Sequence, residues 1–239
     1  MFNRLVKASS PMKVLVINGS PRGNRGATAG VLKRFVEGME SAGAEVESVN
    51  LSRLKINFCR GCFDCWWNTP GVCVQDDDMK KMLPKLADAD LQVYATPVYV
   101  DGMTGSMKTF LDRSIPLVEG KWEIRDNHCR HPLRKGTKSA KMALLSVSGF
   151  TELNNFEPLV KHMKAVALNM GREFVGAVLR PCAWVIPVAE EQGASFDDIG
   201  DALRDAGKQI VSSGKMSEDT LSIISRELVP REQILDTFG

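Results

Sequence analysis

Long hydrophobic runs are absent from this 239-residue chain. Its most apolar stretches, such as residues 14–17 and 142–145, are far shorter than the roughly 20 residues a membrane-spanning helix needs. Residues 1–11 carry two basic side chains but no apolar core of the roughly 7 to 15 residues that a secretory leader requires. The expectation is a cytoplasmic protein with no membrane span and an N-terminal extension over 1–11. Excess charge is missing too, since 31 Lys and Arg against 29 Asp and Glu leave +2. That balance gives no reason to expect nucleic acid or an anionic surface as a partner. Small molecules or other proteins are expected instead. Internal repeats and linker-like composition are also lacking, so one domain over 12–215 with a tail over 216–239 is expected.

Residues 13–17 (KVLVI) form a β-branched apolar run without alternation, the signature of a strand buried on both faces of a parallel sheet. The turn 18–30 (NGSPRGNRGATAG) follows, and then an amphipathic helix with Val31, Leu32, Phe35, Val36 and Met39 at helical spacing. A helix opening on such a turn offers unpaired N–H groups and the positive end of its dipole to an anion. Ser20 and Thr28 add hydroxyl donors, and Arg22 and Arg25 add charge. Gly19, Gly23 and Gly26 do not match the dinucleotide fingerprint G-x-G-x-x-G, and no Lys-Ser or Lys-Thr follows as in a nucleotide P-loop. A mononucleotide phosphate held by hydroxyls and backbone amides fits better; a plain surface turn is the alternative.

Further strands are expected over 45–51, 89–95, 141–147 and 173–179, and helices from about Met79, over 104–115, 155–170 and 194–213. Five strands alternating with five helices define the doubly wound α/β plan, in which ligands bind beyond the carboxyl ends of the strands. That edge carries residues 96–102 (TPVYVDG), where Tyr99 could stack on a flat ring or simply pack in the loop, and 148–150 (SGF). The polar connection 116–138 exceeds the ~12 to 15 residues usual for a structureless loop, which suggests a lid or interface element. It contains His128, Cys129 and His131, which lack a fourth ligand and read as a surface loop. The tail is expected to form a short helix after Ser217 and another after Pro230, packed on the domain or on a second subunit.

Four of the six cysteines, Cys59, Cys62, Cys65 and Cys73, crowd into the segment 57–78. In a reducing compartment such a cluster points to metal or redox use and away from disulfides. Two C-x2-C gaps and a fourth cysteine match the arrangement that wraps a cubane iron-sulfur cluster. Structural zinc, which usually takes two separated C-x2-C pairs, and plain reduced thiols beside a cofactor remain as alternatives. Trp66 and Trp67 could shield such a centre or pave a contact between subunits.

The turn NGSPRGNRGAT (18–28), the run C-x-G-C-x2-C-x7-C-x3-D-D-M from Cys59 to Met79, TPVYVDGMTGSMKTFLDR (96–113) and VSGF (147–150) together resemble the iron-sulfur flavoproteins. These lie within the larger group of flavodoxin-like NAD(P)H-dependent FMN reductases. The resemblance covers about residues 12–215 and implies a flavodoxin-like five-stranded parallel sheet. It implies that Ser20, Arg22, Asn24 and Thr28 hold the FMN phosphate, that Pro97, Val98, Tyr99 and Gly102 lie along the isoalloxazine, and that Ser148 and Gly149 complete a third contact loop. Cys59, Cys62, Cys65 and Cys73 would bind one [4Fe-4S] cluster. The implied activity is an FMN-dependent oxidoreductase taking electrons from NAD(P)H or another donor to a small-molecule or protein acceptor, as a homodimer or homotetramer. No side chain is assigned as a nucleophile or proton donor. A cluster-free FMN, quinone or nitro reductase is one alternative. A non-enzymatic carrier or redox sensor is another, which the slightly basic charge disfavours.

Overall fold

The computed structural model describes residues 10–238, so most of the expected extension over 1–11 lies outside the described residues. In chain order the elements are β1 (Lys13–Asn18), α1 (Ala27–Ser41), β2 (Glu45–Asn50), α2 (Asp64–Trp67), α3 (Met79–Asp88), β3 (Leu91–Pro97), α4 (Gly105–Asp112), β4 (Glu123–Arg125), β5 (His128–Arg130), β6 (Lys141–Val147), α5 (Glu157–Asn169), β7 (Glu173–Arg180), α6 (Val185–Glu191), α7 (Asp197–Ser212), α8 (Glu218–Ser225) and α9 (Arg231–Phe238). The main sheet is wholly parallel with strand order β2-β1-β3-β6-β7, the flavodoxin-like order.

The alternation along β1 shows how the two layers arise. Val14 and Val16 point into a core with α1, α7 and Ile224 of α8, whereas Leu15 and Ile17 point into a core with α3, α4 and α5. Because both faces are covered, the strand reads as one continuous apolar run. The order of strand addition reverses at β1, with β2 on one side and β3 on the other, so the loops leaving the carboxyl ends of β1 and β3 diverge there and open a crevice.

The contact between α1 and α7 is close enough to exclude side chains. A Cβ placed on Gly207 would lie 2.1 Å from the Phe35 carbonyl oxygen, and one on Gly38 would lie 1.9 Å from that of Arg204. Helical periodicity does not reveal this approach.

Several expected elements shift. The third strand begins at Leu91 and runs through Pro97, which ends the strand, where a missing N–H is tolerated. Between Val185 and Glu191 lies α6, a short helix not among those expected from the apolar pattern. The connection 116–138 is not structureless: it holds the antiparallel ribbon β4-β5, with His128 and Cys129 exposed on β5. The tail packs on the domain. Ser217 caps α8 by accepting from the Thr220 N–H, Ile224 is fully buried, and the buried Arg180 guanidinium donates to the Ile224 and Arg226 carbonyls.

Candidate functional site

The turn after β1 is built by short polar side chains. Asn18 Oδ1 accepts the Ser20 N–H at 2.9 Å, and Asn18 Nδ2 donates to Asn50 Oδ1 at 2.8 Å. Asn50 Nδ2 in turn donates to Asn24 Oδ1 at 2.9 Å, so an asparagine chain ties the turn to the end of β2. Neither Asn18 nor Asn50 stands out in the sequence, because their role depends on two strand ends being neighbours. Gly23 sits at φ +55°, and a Cβ there would press on Ser52 Oγ at 3.0 Å.

At the mouth of α1, Gly26 makes no side-chain cap and the first turn holds no acidic residue. The leading N–H groups of this 15-residue helix therefore remain available to an anion. Ser20 and Thr28 are buried beside them, with no hydrogen-bond partner for either hydroxyl among the described residues. Arg22 and Asn24 are exposed at the rim. A cavity of about 230 Å³ opens next to the turn between α1, α6 and α7, with Arg25, Arg34 and Glu190 around an apolar wall that includes Ile186 and Phe196.

The second loop leaves β3 at Pro97. Tyr99 and Gly102 exchange backbone hydrogen bonds of 2.9 and 3.1 Å around Val100 and Asp101, both at positive φ (48° and 58°). This is a two-residue hairpin turn of the kind that favours Asn-Gly, so a β-branched Val100 there is strained. Tyr99 is half exposed and Val100 wholly so. Thr104 then caps α4 and donates through Oγ1 to the Gly19 carbonyl at 2.8 Å, joined by Ser106 Oγ at 3.2 Å.

The third loop follows β6. The Ser148 N–H is taken by the Arg180 carbonyl at 3.2 Å, and its hydroxyl donates to the Phe150 carbonyl at 3.0 Å. The Gly149 carbonyl accepts Trp184 Nε1 at 3.0 Å. Ser148 is thus spent on shaping the loop, while Gly149 and Phe150 are exposed.

The cysteine segment closes on itself through one ion pair. Arg113, at the carboxyl end of α4, grips Asp77 at 2.7 and 3.0 Å and donates to the Asn57 carbonyl at 2.7 Å. Asp77 also accepts the Asn57 N–H at 2.9 Å, so both ends of the segment meet at this pair. Between them Gly61 (φ +63°) and Phe63 (φ +56°) reverse the chain before α2. Cys59, Cys62, Cys65 and Cys73 are all unpaired and line one cavity together with Arg113. Burial pushes the Cys65 thiol up to about 11, with the neighbouring Cys73, Cys59 and Cys62 adding to the rise. No three His, Cys, Asp or Glu side chains among the described residues are gathered as a single metal ion would need.

The connection after α4 buttresses this segment. Arg134 donates to the Cys65, Val118 and Pro116 carbonyls at 3.2, 3.1 and 2.8 Å, and His131 packs on Trp66 with ring centres 4.5 Å apart. The stretch 116–138, expected as a lid or interface element, braces the cysteine segment through Arg134 and His131.

Comparison with known proteins follows the same division. The architecture defines a flavodoxin-like α/β protein. The family model described as NADPH-dependent FMN reductase matches residues 12–129, about half of the chain. An iron-sulfur flavoprotein of Archaeoglobus fulgidus is 41% identical over 105 residues, 44% of this chain and 46% of that protein. One from Methanocaldococcus jannaschii is 39% identical over 102 residues, 43% of this chain and 50% of that protein. The chain spans about half the length of the curated relatives it matches. In fold, an FMN-dependent NADH-azoreductase of Bacillus anthracis, solved with FMN, superposes with a TM-score of 0.62 at 17% identity, over 84% of this chain and all of that one.

Proposed function

We propose that this protein is an NAD(P)H-dependent FMN oxidoreductase with a [4Fe-4S] centre, passing electrons to a small-molecule or protein acceptor. The observation that carries the reading is the placement of α4. Its N-terminal cap, Thr104, is bonded to the phosphate turn at Gly19, and the residue that ends it, Arg113, reaches the cysteine cavity. Eight helical residues span about 12 Å, so one rigid element joins the two candidate sites.

When bound, FMN supplies two-electron acceptance with one-electron release, and a cubane cluster supplies one-electron chemistry. The protein's own residues hold these groups. Ser20 and Thr28 offer free hydroxyls, and α1 its leading amides, to the phosphate, with Arg22 and Asn24 at the rim. Pro97, Val98, Tyr99 and Gly102 form the shaped edge for the ring, and the exposed Gly149 closes the third side with Ser148 fixing its loop. The four cysteines offer thiolates to a polynuclear centre.

We further propose that residues 12–215 act as one FMN-binding domain with 216–239 as a tail packed on it, in a cytoplasmic homodimer or homotetramer. Exposed Phe58, Trp67, Val72, Trp122 and Ile124 support a subunit contact on the side of the cysteine segment and ribbon. Among the described residues no helix is long and apolar enough to cross a membrane.

Anaerobic purification with a visible spectrum and counts of iron and flavin per chain tests the reading. FMN and four irons per chain are expected. Flavin without iron reduces the protein to a cluster-free reductase, and no flavin after reconstitution overturns the proposal.

A further inference from the structure

We infer that Arg113 sets the reduction potential of the cysteine-bound centre, as a positioning residue that neither ligates nor reacts; this rests on the cluster reading above. The Arg113 side chain is 1% exposed and its Asp77 partner 0%. Asp77 takes both terminal nitrogens on one side of the guanidinium, and Nη1 also serves the Asn57 carbonyl. The remaining direction of Nη2 points at Cys73 Sγ, 3.4 Å away. Nε is buried without a partner, so this side chain gives up a hydrogen bond to keep that orientation. A purely structural pin would not need to aim a donor at a thiol in the wall of a cavity shared by four cysteines.

The sign follows from placement. The guanidinium touches the sulfur directly, while Asp77 is bonded to its other side, so the field at Cys73 is positive even though the pair is neutral. Reduction by one electron places a negative charge beside this donor and forms or breaks no bond at the arginine. Hydrogen bonds to ligand sulfurs and the local electrostatic field are what tune such centres, and both favour the reduced state here. Arg60, the other cation lining the cavity, is exposed and screened by water.

The test is a dithionite titration of reconstituted holoprotein, following the centre by electron spin resonance and the flavin by absorbance. Arg113→Gln is expected to lower the potential of the centre and leave that of the flavin unchanged, and Arg113→Lys, which keeps the charge, to restore most of the shift. An iron-loaded, folded Arg113→Gln protein at the wild-type potential overturns the inference and leaves the proposed function standing. Wild-type protein that takes up no iron overturns both. Should Arg113→Gln fail to fold, wild-type protein grown with guanidinium-15N arginine decides the matter. A 15N hyperfine coupling to the reduced centre that is lost in Arg113→Lys supports the contact, and no coupling in wild type overturns it.

Discussion

The Thr104 hydroxyl donates to the Gly19 carbonyl at 2.8 Å and accepts the Met107 N–H at 3.3 Å, so one buried oxygen both caps α4 and anchors the turn after β1. Thr104→Val keeps the shape and removes both bonds. A lost cap costs about 1 kcal/mol and a lost hydrogen bond about as much again. We expect the thermal midpoint to drop by roughly 4 to 8 °C for a chain of this size, and FMN to bind more weakly. Differential scanning calorimetry and flavin fluorescence quenching measure the two effects. Unchanged FMN affinity would separate the bond from the site.

Gly207→Ala drives a Cβ to within 2.1 Å of the Phe35 carbonyl oxygen. Neither helix backbone can yield locally, so a loss of about 3 kcal/mol is expected in urea unfolding. Gly30→Ala is the contrast. Its Cβ meets nothing within 4 Å, and in the body of α1 it is expected to stabilise by roughly 0.5 to 1 kcal/mol.

Val100 occupies a positive-φ position and is fully exposed. Val100→Asn satisfies the turn without removing a contact, and a gain of about 1 kcal/mol in thermal or urea unfolding is expected. A loss would mean that the side chain is covered in the working assembly.

Burial alone would raise the Asp77 carboxyl, but Arg113 and the N–H groups of Asn57 and Met79 outweigh it and hold it below the usual carboxylate range. Its contribution is therefore complete above about pH 4, the ordinary aspartate value, and is lost as pH falls through the lower folded value. Asp77→Asn leaves a buried guanidinium unpaired and should cost about 3 to 5 kcal/mol at neutral pH. In urea titrations the gap between wild type and Asp77→Asn is expected to be constant from pH 7 to 5 and to narrow below 4.

Arg180→Met removes the donors that hold the Ile224 and Arg226 carbonyls. Hydrogen exchange should quicken over residues 216–226 while the sheet keeps its protection. Equal quickening in β6 would show that the tail is part of the global folding unit.

Much of the fold was legible because its signals are local. The apolar runs at 13–17 and 141–147, the glycine turn and the period of residues 31–39 each follow from contacts within one element, and the structure keeps them as β1, β6 and α1. The helix expected from about Met79 is α3, and Asp77 Oδ1 accepts the Met79 N–H at its start. Where tertiary contacts decide, sequence reading failed. The ribbon β4-β5 has strands of three residues each, too short for any periodicity to register. Nothing in the local pattern around Arg113 shows that its side chain is buried, because only the returning cysteine segment supplies Asp77.

By itself the sequence determined the alternating plan, the glycine-rich turn after the first strand, the four clustered thiols and the loops at the carboxyl edge, since each is a pattern within a short stretch. Only the tertiary structure decided that α4 links the turn to the thiols, that Asn18, Asn50 and Asn24 form one chain, and that all four cysteines line a single cavity. These relations join residues tens of positions apart, and they exist only once parallel strand pairing has brought the distant loops to one edge of the sheet.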